Sequence, residues 1–277
     1  MKAPIVATLL SALLIASSLI GQESPEPDGV ALPESDWKNA ALLYFNSASF
    51  EVNRIRAEGD PDRRMKYYAD ALDAIHRPGS TPDELEKAKD ILSTIAAYET
   101  KDDLTLASKF YLIRIIHKHQ AKPDAKLAGR LYKDLYLAAP GHFFGQMALQ
   151  MHAFIALYHD VKEDEVEGVF AELEVLGADM SIPDPKRGFH RVMGEAYQYY
   201  GLSDRKSFEH LKVAFELGFP LSRTQVGPLL QLGELAEKLG EKGYAIQIYS
   251  DFLGSQRSNP RRSEVEVRLR GLGAAVE

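Results

Sequence analysis

The chain has 277 residues and carries 40 acidic side chains against 33 Lys and Arg, a net charge of −7. That balance excludes a general nucleic-acid binder, which needs a concentrated basic face to release counterions. The lack of any cysteine excludes disulfides, thiolate catalysis, cysteine zinc sites and a lipid-modified N-terminal cysteine. Hydrophobic residues at 45% and charged residues at 26% match an ordinary globular chain long enough to bury a core.

The stretch MKAPIVATLLSALLIASSLIGQ has Lys2 and then no charge until Glu23. Its apolar run, Ile5 to Ile20, falls short of the roughly 20 apolar residues that a membrane span needs. Small residues follow at Ala16, Ser17, Ser18 and Gly21. Residues 1–21 therefore read as a secretory signal peptide cut after Ser18 or Gly21, with an uncleaved anchor through residues 3–20 as the alternative. The expected location is periplasmic or secreted, and membrane contact comes only through an uncleaved N-terminus. Residues 22–34 carry three prolines and four acidic side chains and are expected to form an extended linker.

From Ser35 the pattern predicts helix throughout, over about 35–56, 62–76, 82–98, 103–120, 124–139, 142–160, 164–177, 184–201, 204–218, 222–240, 242–256 and 260–275. No alternating β-branched run is bounded by turn residues, so the fold class is all-α. Breaks fall at GDPD (59–62), RPGSTPDE (77–84), AKPD (121–124), APGH (139–142) and IPDP (182–185). Several place Asp, Ser or Thr at an N-cap with Pro just inside, as Thr81 and Pro82 do. Pairs of segments start near 35, 82, 124, 164, 204 and 242. The period of roughly forty residues suits a helix-hairpin solenoid spanning 35–277, in which neighbouring hairpins cover each other's apolar faces.

Residues 188–220 show the construction. Gly194 and Ala196 leave room for a neighbouring backbone, Tyr197 and Tyr200 fill the adjoining space, and Gly201 ends the first helix. Phe208, Leu211, Phe215 and Leu217 give the second helix an inward stripe, and Pro220 bars continuation. The next segment repeats it with Gly233, Gly240, Ala245, Tyr249, Phe252, Leu253 and Pro260. This order resembles the tetratricopeptide repeat, with Leu232, Gly233, Gly240, Ala245 and Tyr249 at the family's spacing. Ala128, Tyr132, Leu135 and Pro140 look like a further second helix in register. The resemblance covers about 188–260 and 124–142. The period departs from the family's about 34 residues, the 204–218 helix has an extra residue, and Leu235 stands where a small residue is usual. The resemblance implies a right-handed α-solenoid of stacked helix hairpins; a closed α/α toroid is the alternative.

Candidate chemistry is sparse. His117 and His119 lie two apart on a helix, point away from each other, and sit at a helix C-terminus where positive charge is favoured. His152 and His159 share a face but are about 10 Å apart, too far for one metal ion without a third ligand. The acidic runs EDEVE (163–167) and TPDELE (81–86) occupy first turns, where carboxylates complement the helix dipole. The sequence has no phosphate loop, HExxH or nucleophile elbow. Arg261, Arg262, Arg268 and Arg270 alternate with Glu264 and Glu266 as a mixed-charge end cap. Residues 142–160 are apolar nearly all round, as a core helix is.

No cofactor or metal is expected, and the expected function is non-catalytic binding of a protein or peptide. In tetratricopeptide proteins the first helix of each pair lines a concave groove. By resemblance the groove here holds Arg191, Glu195, Gln198 and Tyr199, then Leu230, Glu234, Glu237 and Lys238. Glu195 and Glu234 stand at the Asn position of the family's carboxylate clamp, which implies a basic or neutral partner instead. Two alternatives stay open: an envelope enzyme with a helical toroid and cleft carboxylates, and a membrane-tethered assembly factor.

Overall fold

The computed structural model describes residues 60–159, 161–162, 164–218 and 226–274. The signal or anchor at 1–21, the linker at 22–34 and the first expected helix at 35–56 lie outside the described residues. Among the described residues the chain is all-α, with no strand. It divides into two units between residues 163 and 164.

The first unit contains α1 (Arg64–His76), α2 (Pro82–Ala96), α3 (Asp103–Arg114), α4 (Ala125–Ala138) and α5 (Phe143–Tyr158). The helix starts follow from local chemistry. Thr81 accepts from the Glu84 amide while the Glu84 carboxylate accepts from the Thr81 amide at 2.8 Å, a complete capping box with Pro82 at the first position. Asp102 and Asp124 cap α3 and α4 by accepting from Thr105 N and Leu127 N, each at 2.8 Å. Beyond Arg114, α3 widens into a π turn, Ile115–His119, where Gln120 N donates to Ile115 O at 3.0 Å. In this unit α1 packs on α2, α2 on α3, and α4 on α5. Tyr68, Leu72, Phe110, Tyr111, Tyr132 and Phe144 are fully buried, each large side chain contributing about 1.5–3 kcal/mol. The expected all-round burial of α5 is present, with Phe144, Met147, Leu149, Met151, Phe154 and Leu157 all buried.

The second unit contains α6 (Val166–Gly177), α7 (Pro183–Tyr199), α8 (Asp204–Glu216), α9 (Val226–Lys238), α10 (Lys242–Ser255) and α11 (Arg262–Gly271). Its two principal hairpins are α7 with α8 and α9 with α10. They share one design. A Cβ on Gly194 would lie 2.7 Å from Leu211 Cγ, and one on Gly233 would lie 2.5 Å from Tyr249 Cε1, so each glycine admits its partner helix. Gly201 and Gly240 turn the chain at φ 65° and 78°. Ser207 Oγ donates to Gly194 O at 2.8 Å and ties the first crossing.

The pairing frame differs from the sequence expectation in two places. Pairs starting near 164, 204 and 242 are not the main ones, because α6 barely touches α7 and the tight glycine crossings fall at 194 and 233. The pair expected to start near 124 is present, since α4 packs chiefly on the α5 that follows it, so the segment at 124–142 is not the second helix that the resemblance implied.

Candidate functional site

The residues expected to line a groove occupy α7 and α9. Arg191 and Glu195, one turn apart on α7, are each largely buried and meet at 3.8 Å. Arg191 Nε makes no hydrogen bond, and burial raises the Glu195 carboxyl above the usual range. Gln231 Nε2 on α9 donates to Gln198 Oε1 on α7. Tyr199 is half-buried with its ring edge-on to Tyr200 at 4.9 Å. Four positions differ from the expectation of a free lining. Leu230 is 2% exposed and belongs to the core with Phe208, Leu229 and Ile248. Glu234 pairs with Arg261 at 3.1 Å and Arg268 at 3.5 Å. Glu237 accepts from Tyr249 Oη at 2.6 Å and Arg268 Nη1 at 2.8 Å. Lys238 pairs with Asp204. These charges hold helices together, and the arginines of α11 cap the unit through them as the mixed-charge pattern implied.

The histidines at the end of α3 are not charged caps. His117 is 3% exposed, with its ring against Tyr132 and His159 and neither ring nitrogen hydrogen-bonded. Burial first, then the charges of Lys118 and its neighbours, pushes it down to about 3, so it is neutral. His119 is pushed down to about 4 for the same first reason. His152 Nδ1 bonds Gly129 O at 3.0 Å, and His159 caps α5. Of the acidic runs, TPDELE forms the capping box, while Glu163 lies outside the described residues. Among the described residues no group of three or more acids and histidines is arranged to hold a metal ion.

One constellation escaped the sequence reading. Glu174 on α6, His190 and Tyr197 on α7, and Lys206 and His210 on α8 converge. Glu174 Oε1 accepts from His210 Nε2 at 3.1 Å, Tyr197 Oη at 2.9 Å and Lys206 Nζ at 3.3 Å. His210 Nδ1 faces His190 Nδ1 at 2.9 Å. The His210 hydrogen bond, above all, holds the Glu174 carboxyl down at about 2. An ionised carboxylate only accepts, so His210 carries a proton on Nε2, and in its neutral form it presents a lone pair at Nδ1. His190 must then carry its proton on Nδ1, which leaves its Nε2 bare. Burial, above all, lowers His190 to about 4 and keeps it neutral at pH 7. Burial also pushes the Tyr197 hydroxyl up, so it remains a donor. The constellation borders a cleft of about 200 Å³ walled also by Gly177, Ala178, Lys186, Phe189 and Val213. Gly177 makes room for the buried Phe189 ring, whose Cε1 would lie 2.3 Å from a Cβ there. The arrangement can move a proton from the cleft toward Glu174. Comparison with protein-family models, curated proteins and solved structures found no match.

Proposed function

We propose that the chain is a non-catalytic scaffold that binds a protein or peptide with the face formed by α7, α9 and α11. The observation that best supports this is the way α9 is joined to its neighbours, by Gln231 to Gln198 on α7 and by Glu237 to Arg268 on α11. First helices side by side are what a tetratricopeptide-like right-handed solenoid uses as its concave lining, and a closed toroid is the alternative arrangement. On this face, among the described residues, Arg191 and Glu195 have no ion-pair partner but each other, across 3.8 Å. A partner backbone or a basic side chain would complete them, in keeping with a basic or neutral ligand. The half-buried Tyr199 beside them is the natural anchor. The N-terminal 21 residues favour export, to the periplasm or beyond, as a scaffold or as a tethered assembly factor. The toroid-enzyme alternative needs two carboxylates converging in a cleft, whereas the histidine cleft is lined by one, Glu174.

A photo-crosslinking residue placed at position 199 in the native envelope tests the binding face, with position 175 on α6 as control, since Val175 is 76% exposed. One dominant adduct from 199, absent from 175 and lost in Arg191→Ala, is the expected result. Equal capture at both positions refutes the assignment.

A further inference from the structure

Two groups on the wall of the histidine cleft are unused. The Lys186 ammonium makes no hydrogen bond or ion pair among the described residues, and His190 is engaged only through Nδ1. Lys186 and His190 are four apart on α7 and so share one helix face. The rest of the wall, Phe189, Val213, Gly177 and Ala178, is apolar. A free cation and a bare imidazole nitrogen above an apolar floor are complementary to one small anion. The other charged or titratable groups packed around the histidine pair are Glu174 from α6, Tyr197 from α7, and Lys206 and Glu209 from α8.

We infer that this cleft binds a small carboxylic acid, which Lys186 holds by charge and which enters together with one proton carried by the His190–His210–Glu174 relay. The proton is taken at His190 Nε2. The proton on His190 Nδ1 passes to His210 Nδ1, 2.9 Å away. His210 becomes an imidazolium with its Nε2–H still on Glu174, so the new charge rests beside a carboxylate 3.1 Å away rather than in the cleft. His190 is neutral again, with Nε2–H now a donor to the carboxylate that Lys186 attracts. No bond other than N–H changes, and one proton is consumed from solvent or from the acid itself. A phosphate would bring a second charge for which the cleft has no second free cation. The cleft volume of about 200 Å³ lies below the ~300 Å³ at which drug-sized pockets begin, which limits the ligand to a small acid or a chain terminus.

The test is titration of the full chain with acetate and with inorganic phosphate. It is followed by the imidazole resonances of His190 and His210, and by calorimetry in two buffers of different ionisation heat. Saturable shifts with acetate are expected, with uptake of about one proton and an affinity that falls about tenfold per pH unit above neutrality. Phosphate should bind at least tenfold more weakly. Lys186→Met, which breaks no hydrogen bond or ion pair among the described residues, should weaken acetate tenfold or more. Glu174→Gln should flatten the pH dependence. A tripeptide acid beside its amide separates the two sources of a carboxylate: acetate binding without peptide binding assigns a free acid, and tighter binding of the peptide acid assigns a chain terminus. Absence of saturable shifts, shifts unaltered in Lys186→Met, or binding without proton uptake would overturn the inference.

Discussion

Replacing Gly194 with alanine probes the crossing on which the α7–α8 hairpin depends. The added Cβ would sit 2.7 Å from Leu211 Cγ, 2.9 Å from Leu211 Cδ2 and 3.1 Å from Leu211 N. Carbon atoms in ordinary contact lie about 3.5–4.0 Å apart, so the crossing must open by about 1 Å. Leu211 has no room to yield, being fully buried, and its backbone amide cannot rotate away. Ser207, bonded to Gly194 O at 2.8 Å, pins the helices at the same level. Overpacking of this kind costs about 1–3 kcal/mol. Alanine also improves helix propensity by about 1 kcal/mol, which hides part of that loss. Gly168→Ala removes the ambiguity, because Gly168 is also helical and a Cβ there meets nothing within 4 Å. Both variants share the propensity gain, so the difference between them, about 1–3 kcal/mol in urea unfolding, isolates the crossing. Equal stabilities would refute the close approach and with it the hairpin geometry.

Thr81→Ala should remove the capping box and destabilise the first unit by about 1 kcal/mol, read as a lower urea midpoint at unchanged slope. The buried, neutral His117 makes the protein acid-sensitive. Its folded value, about 3, lies below the unfolded one, so the stability it contributes is present above about pH 6.5 and is lost as pH falls toward 3. His117→Phe keeps the ring against Tyr132 and removes the proton site, so unfolding measured at pH 7 and pH 5 should show a smaller loss in the variant. An equal loss would show that His117 does not titrate on unfolding.

Helix positions were legible in the sequence because their ends are coded locally. Thr81, Asp102 and Asp124 cap whatever follows them, and Gly201 and Gly240 supply left-handed turns within a few residues. Which helix pairs with which is less local: the pair starting near 124 was legible, but only packing shows that α7 goes with α8 and α9 with α10 rather than in the frame starting near 164, 204 and 242. The residues expected to line a groove fall on α7 and α9, but their charge pairing could not be foreseen, since Glu237 is engaged by an arginine 31 residues away. The Glu174–His210 contact was invisible for the same reason, with the two residues 36 apart on different helices. A faint signal existed in His210, which follows the inward-facing Phe208 closely on a helix whose exposed positions are mostly charged.

The π turn at Ile115–His119 has a consequence for how such chains change length. It accommodates an extra residue, and one residue of helix is about 100° of rotation, so every side chain beyond it would be thrown onto a new face if the helix continued. It does not continue. Gln120 leaves helical geometry at once, and Asp124 starts α4 with a fresh cap. The phase error is cancelled within a few residues and never reaches the next crossing. A helix array built this way can gain or lose residues between hairpins while each glycine contact stays intact. The spacing between hairpins is therefore free to drift, and the crossings are what such a chain must keep.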